Sequence, residues 1–253
     1  MLKASVCTSL GLRRCTFGCL FYGGLMKYIL DYFSKTEMYL WSVSVLMIVI
    51  SFCVFDRSNY MTLFASLMGV TSLIFNAKGN PIGQILMVVF SLIYGLISYK
   101  IAYYGEMATY IGMTMPMALF ALVSWLRHPY KGNKSEVEVN DITKIEICFM
   151  CVLTLVVTTI FYFILKYFNT AQVFFSTLSV TTSFIAVYLT FRRSSFYAIA
   201  YAANDVILMV LWTMASIKDI RYISVCVCFM AFFVNDIYGF ISWQRMKIRQ
   251  KRV

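Results

Sequence analysis

Apolar residues run along this chain in blocks of about 20, and polar residues collect in the short breaks between them. An apolar block of that length, without the two-residue alternation of a strand, predicts a membrane-spanning helix. Eight such segments can be drawn, at about 38–54, 60–76, 82–104, 107–126, 145–166, 171–190, 196–216 and 222–243. Membrane β-barrels alternate polar and apolar positions and these segments do not, so the expected fold class is an all-α integral membrane protein with eight spans. Residues 16–33 interrupt their apolar run with Lys27 and Asp31, which predicts an interfacial amphipathic helix in place of a cleaved signal peptide. The domain plan is then an N-terminal interfacial segment over 1–35, a membrane domain over 36–245 and a basic tail over 246–253.

Composition agrees. The chain is 61% hydrophobic and only 13% charged, where a soluble domain carries about 25% charged residues. A net charge of +11 points in a soluble protein to nucleic acid. Here the basic residues occupy short loops, where they set orientation. With the N-terminus inside, only Arg57, Lys100, Lys166, Lys218 and Arg221 of the 22 basic residues fall outside. Both termini are therefore expected in the cytoplasm, with the lipid bilayer as the surrounding partner and no nucleic acid.

The eight cysteines are scattered. Cys148 and Cys151 form a CxxC at the start of an apolar segment without a βαβ context, so they read as buried thiols acting as small apolar side chains. His128 is the only histidine, and no phosphate loop, HExxH or nucleophile elbow occurs. The chain reads as a non-enzyme that needs no cofactor and binds no metal. Without a nucleotide-binding segment, any transport would be facilitative or ion-coupled.

An internal repeat organises the spans. Ser66-Leu67-Met68-Gly69-Val70-Thr71-Ser72 in the second segment resembles Ser176-Thr177-Leu178-Ser179-Val180-Thr181-Thr182 in the sixth, offset by 110. Ser124-Trp125-Leu126-Arg127 in the fourth matches Ser242-Trp243-Gln244-Arg245 in the eighth, offset by 118, and at that offset Tyr94 falls on Trp212. Segments 2–4 and 6–8 thus form two parallel repeats around a linker, segment 5, with the first segment as an extra helix. Transporters built this way hold their substrate between the halves near the midplane.

The last two segments carry the strongest chemistry. Asn204-Asp205 is followed by Trp212, and Asn235-Asp236 by Trp243, with Asn and Trp 8 apart in both. Asp and Trp are 7 apart and share a helix face. A carboxylate at the bilayer centre costs about 2.5–3.5 kcal/mol on insertion scales, so it turns toward a bundle interior or wet cavity. The candidate site residues are Tyr94, Trp125, Asn204, Asp205, Trp212, Asn235, Asp236, Tyr238 and Trp243. Structural hydrogen bonding by the acids and interfacial anchoring by Trp125 and Trp243 are the competing readings. Pro116 should kink the fourth helix. Gln84, Asn76 and Glu106, which bracket the third helix, need no special role on this reading.

At Tyr103-Tyr104-Gly105-Glu106 and Val234-Asn235-Asp236-Ile237-Tyr238-Gly239-Phe240-Ile241-Ser242-Trp243 the chain resembles the PnuC family of bacterial vitamin transporters. Ser98-Tyr99-Lys100 and Pro116-Met117 also fit, and the resemblance covers roughly residues 38–245. It implies a fold related to SWEET transporters, a homotrimer in the bacterial cytoplasmic membrane, and uptake of nicotinamide riboside by facilitated diffusion. It places the family's amide and aromatic positions on Asn204, Trp212, Asn235, Tyr238 and Trp243, with Tyr94 in the third helix. The chain has Ala118 where many members read Gln after Pro-Met, Ala121-Leu122 within their Gly-Trp-x-x-Trp motif, and Phe90 where an Asn is expected. Thiamine, riboflavin, a deoxynucleoside or another flat nutrient in the same fold is one alternative. A non-transporting membrane scaffold is the other.

Overall fold

The computed structural model describes residues 32–100, 104–170 and 172–252. The expected interfacial helix over 16–33 lies almost wholly outside them. The chain divides into two units, Met1–Leu40 and Trp41–Val253. In the first, Ser34 and Glu37 exchange side-chain and backbone hydrogen bonds, a capping box that starts a helix at Lys35. The second holds the body of the helical bundle.

Among the described residues, eight helices are long and apolar enough to cross a membrane. They are α1 (Lys35–Phe55), α2 (Tyr60–Ala77), α3 (Ile82–Lys100), α4 (Tyr104–Arg127), α5 (Lys144–Tyr167), α6 (Val173–Phe191), α7 (Tyr197–Ser216) and α8 (Ile223–Lys251). A two-stranded antiparallel hairpin, β1 (Pro129–Tyr130) and β2 (Asn133–Val137), links α4 to α5. The eight segments read from hydropathy are these helices. The eighth runs further than its apolar block, because Arg245 to Lys251 continue the helix as a polar extension.

Side-chain exposure sorts the helices. α5 presents Phe149, Val152, Leu155, Val156, Ile160 and Phe163 outward, as a linker facing lipid should. Cys148 and Cys151 share that outer surface, so they are exposed apolar thiols and not buried ones. In an apolar solvent a small thiol costs nothing to expose, which is why hydropathy could not distinguish the two. α1 exposes Leu46, Ile50 and Val54, and is tied inward by Trp41 Nε1 donating to Thr71 Oγ1 at 3.2 Å. The buried core lies mainly among α2–α4 and α6–α8, with Ile48 of α1 and Phe161 and Leu165 of α5 packed into it.

The repeat is written in hydrogen bonds as well as in sequence. Ser242 Oγ and Trp243 Nε1 on α8 donate to the Ala77 and Asn76 carbonyls at the end of α2, both at 2.7 Å. Ser124 Oγ and Trp125 Nε1 on α4 donate to the Phe191 and Thr190 carbonyls at the end of α6, both at 2.9 Å. Each Ser-Trp pair therefore caps the first helix of the opposite repeat: the hydroxyl takes up a carbonyl left over at the helix end, and the indole adds a second donor to one that already accepts from Gly79 or Arg193 N–H. Both capped ends close alike. Gly79 (φ 67°) and Arg193 (φ 57°) take left-handed conformations, and the next amide, Asn80 or Ser194, bonds back five residues to Phe75 or Leu189.

The α4–α5 connection straps this end of the bundle. Val137 N–H donates to the Gly79 carbonyl, Asn140 N–H to that of Arg193, and Gln250 of α8 bonds Glu136, Val137 and Val139. Glu136 pairs with Arg249, Asp141 with Lys247 and Lys251, and Glu146 with Arg192. The hydrogen bonds from Lys247 and Lys251 hold the Asp141 carboxyl below its ordinary value of 3.8. A depressed folded-state value stabilises above pH 3.8 and loses that contribution as pH falls through the lowered one. Asp141 is half-exposed, so screening keeps the contribution under about 1 kcal/mol. Asp141→Asn should lower the melting temperature slightly at neutral pH and make no further difference in strong acid.

Candidate functional site

The space between the two repeats is where the unusual residues meet. A cavity of about 890 Å³, counting its open mouth, is lined from α2, α3, α4, α6, α7 and α8, with Leu165 contributed by α5. Asn204, Asp205 and Trp212 of α7 and Asp236 of α8 all line it. These four came from the sequence and the fold brings them together.

Two further cavities, of about 920 and 1260 Å³, adjoin it and share Trp212 and Glu106 with it. Their walls come from the connections after α1, α5 and α7, including Asn59, Asn169, Asp219 and Tyr222. The route is thus wide at this loop end. At the opposite end, which carries the strap and the basic extension of α8, it is closed. Trp125 and Trp243 are 0% exposed and their rings lie 5.4 Å apart, with Tyr197 4.9 Å from Trp243. Tyr201, which lines the cavity, sits 6.2 Å from Tyr197 and joins floor to plug.

The other candidates sit elsewhere. Tyr94 lines one of the mouth cavities and stacks 4.8 Å from Tyr110 and 5.2 Å from Phe90. Trp125 and Trp243 form the plug outside the cavity lining. Asn235 donates to Ser44 Oγ of α1 at 2.8 Å and to the Ala231 carbonyl at 2.7 Å, so it anchors α1. Tyr238 is half-buried and also outside the lining. The reason is helical geometry: Asn235 and Tyr238 lie on flanks of α8 that the fold turns toward other helices.

Several lining residues were not among the site candidates drawn from the sequence. Glu106 lines all three cavities, although its place beside a loop read as interfacial. Tyr110 and Thr114 reach the cavity from a π-helical turn, Tyr110–Thr114, just before Pro116. Where Pro116 predicts a kink, the helix takes this π turn: Met115 N–H bonds back to Tyr110, and Thr114 Oγ1 donates to the Thr109 carbonyl at 3.3 Å. Phe90 and Phe232 add a wall, their rings 6.2 Å apart. Gly69 permits this, because a Cβ there would collide with the Phe232 ring.

Polar groups in the cavity are fixed before any ligand arrives. Ser179 and Thr182 of α6 donate to Asn204 Oδ1 at 3.2 and 3.0 Å, leaving its NH2 group to face the cavity. Asp205 and Asp236 are neighbours in this lining, and both are buried. Asp205 Oδ2 is buried and has no hydrogen-bond partner among the described residues. Ser176, Ser179 and Ser183 supply hydroxyls, and among the described residues no Lys, Arg or His lines the cavity.

Helical spans in two interlocked repeats, with an acidic aromatic cavity between them, define a multi-span membrane transporter. The chain belongs to the family described as nicotinamide mononucleotide transporter, whose sequence model matches residues 59–245. Among solved structures it is similar in fold to one titled crystal structure of the vitamin B3 transporter PnuC. The TM-score is 0.73 at 18% identity, over 86% of this chain and 94% of the other. No curated protein sequence matches.

Proposed function

We propose that this chain carries nicotinamide riboside, or a closely related flat cationic vitamin or nucleoside, across the bacterial cytoplasmic membrane. One observation supports this reading above the rest. Glu106, Asp205 and Asp236 face the cavity among aromatic walls, and no cation lines it among the described residues. A pyridinium ring fits such a place, since charge and cation–π attraction both favour it. A phosphate ester does not, because Arg221 and Lys218 line only the mouth cavities and the central cavity sets carboxyl groups against it with no Lys or Arg to receive it. The riboside is therefore the better substrate than the mononucleotide of the family's description.

The plug at the strap end and the wide mouth at the loop end describe one side of an alternating-access cycle. Basic residues gathered at the strap end favour the cytoplasm for that end and for both termini. Parting the two Ser-Trp locks would open it, and no chemical step is needed. A homotrimer follows the family resemblance and is tested by cross-linking in native membranes.

Tryptophan fluorescence tests the substrate. Trp212 is the cavity residue among Trp41, Trp125, Trp212 and Trp243. Nicotinamide riboside should quench purified protein saturably, with Trp212→Phe abolishing most of the signal. Nicotinamide mononucleotide should bind at least about tenfold more weakly, the value of 1.4 kcal/mol. Equal or tighter binding of the mononucleotide would overturn the reading. Saturation by thiamine, riboflavin or a deoxynucleoside with silence from the riboside would transfer it to that compound.

A further inference from the structure

The unpartnered oxygen of Asp205 asks for a donor. The residue is 4% exposed, lines the cavity and has Asp236 as its neighbour there. Oδ2 finds no donor among the described residues. A buried acceptor left unmade costs about 1–3 kcal/mol, so a ligand that supplies an N–H there recovers that free energy. Beside it on α7, Asn204 is held by Ser179 and Thr182 with its NH2 group turned to the same cavity. An acceptor and a donor side by side complement a primary carboxamide, which offers N–H and C=O on one planar group.

We propose that Asp205 and Asn204 together read the carboxamide of the substrate, and that Asp205 is the residue that rejects the corresponding carboxylic acid. This rests on the nicotinamide riboside reading and deepens it. The acid analogue carries no N–H for Oδ2 and sets its own carboxylate oxygens against that unpartnered acceptor. Glu106 and Asp236 add to that repulsion.

Binding of nicotinamide riboside and nicotinic acid riboside to the full-length protein in nanodiscs is the test. Wild type should favour the amide by about 100-fold or more, because a site built for a donor leaves its acceptor unpaired with the wrong analogue. Asp205→Asn should bring the ratio close to one, mainly by letting the acid bind. An amide side chain can turn either its C=O or its NH2 group to the ligand, and as an isostere of the acid the variant is expected to fold. Asp205→Ala serves as the second variant and should weaken the amide while leaving little preference.

A wild-type ratio near one, or a high ratio that survives both substitutions, overturns the assignment to Asp205 while leaving the riboside as substrate. Absence of binding by either riboside overturns the substrate reading and the carboxamide assignment together.

Discussion

Trp243→Ala should destabilise the protein by about 3–5 kcal/mol, the usual cost of emptying a well-packed aromatic site. Three losses add up at this position. The ring is fully buried against Trp125 and Tyr197, at 5.4 and 4.9 Å between centroids. Its Nε1 donates to the Asn76 carbonyl at 2.7 Å, and that bond between α8 and α2 is lost with the ring although the carbonyl still accepts from Gly79 N–H. Asn76 is also the hub of a buried network, accepting from Gln84 Nε2 at 2.8 Å and donating to Ser72 Oγ at 3.3 Å, so the disturbance reaches α3. A large fall in the melting temperature of the detergent-purified protein is the expected result. Trp243→Phe separates packing from recognition. It should lower the melting temperature while shifting riboside affinity less than Trp212→Phe does. A Trp243→Phe variant with native stability and lost binding would return Trp243 to the substrate site.

Trp212→Ala should have the largest effect on binding. Trp212 borders the central cavity and both mouth cavities, the place where the three adjoin. Tyr222 backs it at 5.3 Å between centroids and fixes its face. Losing cation–π attraction of about 0.5–2 kcal/mol together with apolar contact should raise the dissociation constant for a cationic ring by about tenfold to a hundredfold. Isothermal titration of the variant measures it directly. Thermal stability should fall less than for Trp243→Ala, because the indole borders open space on its cavity side. Native affinity in Trp212→Ala would move the binding site away from this cavity.

The contrast between these two tryptophans shows what the sequence could and could not say. Both stood eight residues after an Asn in similar Asn-Asp-to-Trp stripes, and from spacing alone they looked equivalent. The repeat itself separates them. Trp243 pairs with Trp125 by internal symmetry and closes the strap end, whereas Trp212 pairs with Tyr94 near the mouths. A helical stripe specifies a face and a depth along an axis. It does not specify which neighbouring helix will cover that depth.

Hydropathy by itself determined the eight spans and the all-α membrane class, and short sequence matches added the repeat. The spans follow from local rules: backbone groups in lipid must pair within their own helix, and an apolar block of fixed length must cross. The pairing of Asn204, Asp205, Trp212 and Asp236 was also legible, because ionisable groups inside spans have few places to go. Only the tertiary structure decided the rest. Glu106 joined the cavity because the start of α4 packs inside the bundle, against its apparent place near an interface. Tyr110 entered through a π-helical turn whose extra residue re-aims side chains in a way no 3.6-residue period foretells. Asn235 left the site because Ser44, 191 residues away, claimed its amide. The orphaned oxygen of Asp205 is of the same kind. Whether a buried acceptor has a partner depends on every helix around it, and no stretch of sequence contains that answer.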